Sequence, residues 1–207
     1  MKIGRMLFPV RELGPGERLG IWVQGCARRC PGCANPELQR FDERKEIPAD
    51  TLAAMAAAAI AGSGLTGITV TGGEPMLQAK ELAALLKQLK PLCGDVLLFT
   101  GFRLEELEKS GDPDIRAVLS LVSVLVDGEY IREKNAGERL RGSTNQRIIF
   151  REEDKRERYE AYMRAEGRCI DTFIAPDGVI SAGIHPQRFL DQAWGIIPAE
   201  EVSGGQC

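Results

Sequence analysis

The pattern that most restricts the fold is a repeat of short apolar runs, each running into a glycine-bearing polar motif and most followed by a stretch with helical character. RLGIWVQG runs into a cysteine loop, GITVTGG into EP, DVLLFTG into a Phe and LVSVLVDG into EY. Between these runs, ADTLAAMAAAAIAG is Ala-rich, preceded by Pro48 and closed by Gly62, and PMLQAKELAALLKQLK repeats its apolar residues at helical spacing. RLEELEKS and DIRAVLS read as two further short helices. Strands repeatedly separated by helices imply right-handed βαβ units and a parallel sheet. The expected fold is α/β, an incomplete (β/α) barrel open on one side, because too few strand–helix units are visible to close an eight-stranded barrel.

In such sheets, ligands sit beyond the carboxyl ends of the strands. The cysteine loop, TGGEP, FTGF and VDGEY each follow a strand, so all four are expected on one rim. After Gly128 the pattern changes to a polar, charge-mixed stretch, EYIREKNAGERLRGSTNQR, too long for a simple connection and suited to binding a substrate or partner. RIIF reads as one more strand, REEDKRERYEAYMRAEGR as an exposed charged helix, CIDTFIAPDGVISAG as a hairpin turning at Asp177 and Gly178, and PQRFLDQAW as a last helix. The expected organisation is a lead-in over residues 1–17, a core over 18–150 and a small α+β C-terminal appendage over 151–207.

A chain of 207 residues with 43% hydrophobic content is long enough to bury a sizeable core without disulfide staples. Its net charge of -3 implies no strong polyanion-binding field, so nucleic acid is not expected as a partner. Gly, Pro and charge interrupt the N-terminal segment before an apolar run reaches signal-peptide length, and no later run reaches bilayer-spanning length. The expected location is the cytoplasm, with no membrane partner. In a reducing compartment a tight cysteine cluster binds metal or does redox chemistry more often than it forms a structural disulfide. Cys93, Cys169 and Cys207 stand far apart and read as buried or idle thiols.

The chemistry starts at Cys26-x3-Cys30-x2-Cys33. A structural zinc would recruit a fourth Cys or His close in sequence, and none is there. His185, the only histidine, lies far away beside Pro186 and reads as a surface turn residue. A four-iron cluster held by three cysteines leaves one iron open for a substrate or cofactor; zinc completed by a distant cysteine is the alternative. In TGGEP, Gly72 and Gly73 permit close backbone approach to a ligand, Glu74 can accept from an ammonium group, and Pro75 can start the next helix. The same residues also suit a plain strand-to-helix turn with Glu at the dipole-favoured helix start. Thr100 and Asp127 stand at strand ends where they can touch a cofactor or simply order a turn. Arg141, Ser143, Asn145, Gln146 and Arg147 form a donor-rich set suited to a carboxylate, a nucleoside or a partner backbone, or to a solvated loop. Arg28 and Arg29 can tune a cluster, face an electron donor or be solvated.

GCARRCPGCANPEL, together with TGGEP, LLFTGF, VDGEY and RGSTNQR, resembles the radical S-adenosylmethionine superfamily over about residues 18–150. Within it the motifs are most similar to the small activating enzymes of glycyl-radical proteins, above all the anaerobic ribonucleotide reductase activase group. The resemblance implies that Cys26, Cys30 and Cys33 ligate a [4Fe-4S] cluster whose fourth iron is chelated by S-adenosylmethionine, with Gly72, Gly73, Glu74 and Pro75 at the methionine end. It implies reductive cleavage to methionine and a 5′-deoxyadenosyl radical, a glycyl-radical protein as substrate, a flavodoxin or ferredoxin as electron donor, sensitivity to oxygen, and no catalytic side chain beyond the cofactor ligands. Ala34 stands where the activases often place an aromatic, Gly32 lacks the aromatic that many superfamily members carry, and the appendage is extra length. Two alternatives stay open: the same cofactor chemistry on a small molecule or peptide, and a zinc- or cluster-stabilised binding module without catalysis.

Overall fold

The protein is described as a computed structural model covering residues 1–165, 169–176 and 178–193. Six strands form one sheet in sequential order: β1 (Ile3–Val10), β2 (Arg18–Val23), β3 (Gly67–Gly72), β4 (Val96–Thr100), β5 (Val124–Asp127) and β6 (Arg147–Phe150). The inner strands β2 to β5 run parallel, and β1 and β6 lie antiparallel on the two edges. Each parallel crossover carries a helix: α1 (Ala49–Ser63), α2 (Ala79–Cys93), then α3 (Leu104–Lys109) with α4 (Pro113–Leu121).

Alternation along the strands sorts side chains onto two faces. Leu19, Ile21 and Val23 of β2, Ile68 and Val70 of β3, and Val96 and Leu98 of β4 pack with apolar residues of α1 to α4, such as Leu52, Leu86 and Val118. Trp22, Leu97, Phe99 and Val126 point to the opposite face. Strands in sequential order with every crossover helix on one face give the winding of a (β/α) barrel wall, unlike a doubly wound sheet with helices on both sides. Among the described residues the sheet does not close, since β1 and β6 remain its two ends.

The C-terminal part covers the face that the crossover helices leave bare. It comprises α5 (Arg156–Arg164), the hairpin β7 (Asp171–Ala175) and β8 (Gly178–Ala182), and α6 (Gln187–Ala193). Ala182 and Ile184 pack with Trp22 and Phe99, and Tyr159 packs with Leu97 and Val124. The hairpin forms as expected, although Asp177 lies outside the described residues, as do Trp194 and Cys207.

Several elements depart from the sequence reading. β1 lies within the segment expected as a lead-in; Gly4, Arg5 and Pro9 break its apolar alternation, and its pairing with β2 shifts register twice, as edge strands tolerate. α1 runs through Gly62 and ends at Gly64, whose left-handed φ of 61° caps it. PMLQ forms a separate 3-10 turn, Pro75–Gln78, ahead of α2. The charged helix α5 is not merely exposed, because Tyr159 on its inner face is fully buried.

Tyr159 reaches the most demanding group in the core. The Arg18 guanidinium, with no exposed surface, donates to Asp95 Oδ2 at 2.6 Å, Thr69 Oγ1 at 2.7 Å and the Ile68 carbonyl at 2.8 Å. The Tyr159 hydroxyl donates to the other Asp95 oxygen at 2.9 Å, and its ring lies 5.9 Å from the Arg18 charge. Removing one partner of a buried ion pair leaves an uncompensated charge. Asp95→Ala is therefore expected to destabilise the protein by about 3–5 kcal/mol and Tyr159→Phe by about 1 kcal/mol in anaerobic urea unfolding; near-wild-type stability in Asp95→Ala contradicts this account.

Candidate functional site

The carboxyl ends of the parallel strands open into one pocket on the appendage side of the sheet. Cys26, Cys30 and Cys33 line it with Gly72 to Glu74 of TGGEP, Thr100 of FTGF, and Gly128 and Tyr130 of VDGEY, so all four of the expected rim motifs meet there. Trp22 and Phe99 form its apolar floor, and Tyr130 and Gln146 reach it from the segment after β5. Pro75, Asp127, Arg141, Ser143, Asn145 and Arg147 are not among its lining residues.

Backbone contacts hold the cysteine loop at its start. Gly25 N–H donates to the Leu38 carbonyl at 2.8 Å and Cys26 N–H to the Gln39 carbonyl at 3.0 Å. The base of the loop also lies against the TGG turn: Glu74 N–H donates to the Gly25 carbonyl at 2.8 Å. A Cβ on Gly73 would fall 2.3 Å from the Gly25 oxygen, and Gly72, at φ 106°, would place one 2.5 Å from the Val23 nitrogen. Gly73 thus serves a loop-to-loop backbone contact and Gly72 a close contact between the ends of β2 and β3, in addition to any approach to a ligand.

The three thiols are free and half-buried, and burial pushes the Cys30 and Cys33 thiols up. Among the described residues, no group of three or more His, Cys, Asp and Glu side chains is arranged to hold a single metal ion. A four-iron cluster differs in kind, because each thiolate binds a separate iron. Three soft thiol donors in the lining of one pocket suit that group.

Glu74 is almost fully buried, 2% exposed, and its carboxylate is engaged within the protein. Oε1 accepts from Met76 N–H at 3.0 Å and from the Thr100 hydroxyl at 2.8 Å, and Oε2 accepts from Gly101 N–H at 2.8 Å. Burial pushes its pKa up, against the pull of those donors. Glu74 therefore first ties the end of β3 to the end of β4, with acceptor capacity left on Oε2.

Asp127 is more deeply committed. It accepts from Leu104 N–H at 2.8 Å and from the guanidinium groups of Arg147 at 2.9 Å and Arg103 at 3.3 Å. Burial opposes its ionisation, yet these donors, Arg147 foremost, hold its carboxyl below the usual range. Arg147 also pairs with Glu105 at 2.7 Å and holds that exposed carboxyl down at about 2. The donors of RGSTNQR likewise serve the loop itself. Gln146 takes Gly142 N–H at 2.9 Å and gives to the Gly128 carbonyl at 2.8 Å, Asn145 gives to the Glu129 carbonyl at 2.9 Å, and Arg141 gives to the Gln146 carbonyl at 3.0 Å. Ser143 Oγ accepts from Ile131 N–H at 3.2 Å. Of this set, Gln146 alone lines the pocket.

The appendage supplies residues that the sequence reading missed. His185 is 9% exposed and lines the pocket, with Nε2 2.8 Å from Ser181 Oγ, which corrects its assignment as a surface turn residue. Only the pairing of the sole histidine with a serine four residues earlier hinted at this, and a non-helical segment gives such spacing no directional meaning. Arg28 folds back along the rim with its charge 4.4 Å from the Phe102 ring centroid, while Arg29 is exposed.

A family described as a 4Fe-4S single cluster domain matches residues 13–149. The chain is also similar to anaerobic ribonucleoside-triphosphate reductase-activating proteins. It is 32% identical to that of Salmonella typhi over 142 residues, 64% of this chain and 88% of the relative. It is 34% identical to that of Vibrio cholerae over 144 residues, 65% and 88% respectively. With that of Pasteurella multocida it is 36% identical over 150 residues, 67% and 89% respectively.

The Gly73–Gly25 contact makes a specific demand. Gly73→Ala must push the cysteine loop aside, so iron and sulfide bound per chain after anaerobic reconstitution should fall severalfold below wild type. Full iron loading with an unchanged melting temperature contradicts that dependence.

Proposed function

We propose that this chain, which belongs to the family of the anaerobic ribonucleoside-triphosphate reductase-activating proteins and carries the 4Fe-4S single cluster domain, activates a glycyl-radical enzyme of the anaerobic ribonucleotide reductase type by radical S-adenosylmethionine chemistry. The observation that carries this reading is that Cys26, Cys30 and Cys33 line one pocket together with Gly72 to Glu74. The open winding of the sheet supports an incomplete (β/α) barrel of the radical S-adenosylmethionine type, with residues 18–150 as its core and 151–207 as the appendage.

In this reading the three cysteines ligate the cluster and the Gly72–Pro75 turn adjoins the methionine end of the cofactor. Held by Cys26, Cys30 and Cys33, a [4Fe-4S] cluster would supply the electron for reductive cleavage of S-adenosylmethionine, and with it the radical chemistry that removes a hydrogen atom from a glycine Cα of the partner protein. The electron comes from a flavodoxin or ferredoxin in the cytoplasm. The chain's own residues bind, orient and exclude water. Glu74 fixes the ends of β3 and β4 through its three donors, keeping the TGG turn and Thr100 in register. Trp22 and Phe99 give the pocket a dry floor, which protects a reactive species from solvent. Asp127 acts as a positioning residue, because Arg103 and Arg147 hold it outside the pocket.

Anaerobic reconstitution followed by an assay of 5′-deoxyadenosine formation under strong reductant tests the reading. Wild-type protein is expected to form it, and to generate a glycyl-radical signal in electron paramagnetic resonance when given an anaerobic ribonucleotide reductase. Cys30→Ala is expected to lose both the cluster absorbance and the cleavage, and cleavage that survives this change overturns the proposal.

A further inference from the structure

The sheet face carrying Trp22 and Phe99 receives no cover from α1 to α4, which pack on the other face. At the pocket this cover comes from the end of β8 and the segment leading into α6, where Ser181, Ile184 and His185 share the pocket with the three cysteines. The matched family region ends at residue 149, so this wall lies beyond it.

The wall is tied down by side chains. Arg132 donates to Asp191 at 2.7 Å, the Tyr130 hydroxyl donates to Gln187 at 2.6 Å, and Gln187 donates to Asp191 at 2.7 Å. Asn135 bridges the Tyr130 hydroxyl at 3.3 Å and the His185 carbonyl at 3.2 Å. The His185 ring stacks on Phe189 with centroids 4.8 Å apart and planes 21° from parallel. These contacts fix both the backbone and the ring of His185 at the pocket, beside the Ser181 hydroxyl.

We propose that Ser181 and His185 bind the adenosine part of S-adenosylmethionine, so that the appendage completes the cofactor site. The inference rests on the proposed function, in which the cysteine loop and the Gly72–Glu74 turn take the methionine end. What remains of the cofactor is a flat purine and a ribose diol, which call for an apolar slot with a few placed polar groups. Trp22, Phe99 and Ile184 supply the slot. The Ser181 hydroxyl and the His185 imidazole, 2.8 Å apart, are each able to donate or accept, matching ribose hydroxyls or purine nitrogens.

The test is calorimetric titration of the oxidised, cluster-loaded full chain with S-adenosylmethionine, 5′-deoxyadenosine and methionine, without reductant so that nothing turns over. His185→Ala and Ser181→Ala are each expected to weaken S-adenosylmethionine and 5′-deoxyadenosine by about tenfold, the scale of one lost hydrogen bond, and to leave methionine binding and cluster absorbance unchanged. His185→Gln, which keeps a polar group on that wall, is expected to recover most of the loss. Wild-type affinity for S-adenosylmethionine in both alanine variants overturns the assignment and leaves the proposed function standing. Equal weakening of methionine shows a collapsed pocket and also overturns it. Cluster-loaded wild-type protein that does not bind S-adenosylmethionine overturns both readings.

Discussion

A guanidinium with no exposed surface has to be answered by acceptors on every side, and Arg18 is answered from the neighbouring strand, from the residue ahead of the next one and, beside them, from a distant helix. It stands at the start of β2, Thr69 and the Ile68 carbonyl lie on β3, and Asp95 immediately precedes β4. An ionised group in such a place is tolerated only when its geometry is satisfied, so these strand starts share one arrangement. Tyr159 brings α5 into the same cluster and thereby sets where the appendage lies on the sheet.

With one end of the strands locked, the other end is free to carry chemistry. The rim has its own cross-ties, of a different kind. Glu74 joins β3 to β4, Asp127 joins the end of β5 to the starts of α3 and β6, and Gly73 lies against Gly25. The two carboxylates point into the protein, where backbone N–H groups and arginines take up their charge. The soft donors and the apolar floor face the pocket, which Glu74 also lines, an arrangement suited to holding an iron–sulfur cluster.

Much of this was legible in the sequence. The βαβ alternation gave the parallel sheet because a strand buried on both faces reads as a continuous apolar run and its crossover helix as an apolar periodicity. The convergence of the cysteines, TGGE and Thr100 followed from chain direction alone, since each motif comes after a strand. The edge strand β1 was hidden by Gly4, Arg5 and Pro9, which an edge position tolerates. Asp127 and the RGSTNQR side chains carry ligand-type chemistry but are spent on one another, and local sequence cannot show which donor meets which acceptor across the fold. His185 was missed for the same reason: its neighbours in the pocket lie on segments far away in the chain.

The one-sided winding of the sheet also sets an order of assembly. A ribosome releases a chain from its N-terminus, so the cysteine loop and the strand that precedes it emerge long before residues 181–190. Until that last segment arrives, Trp22 and Phe99 lack the partners that later cover them, and the thiols face an unfinished cavity. The wall that encloses the site is therefore made after the cysteines and the strands that it covers.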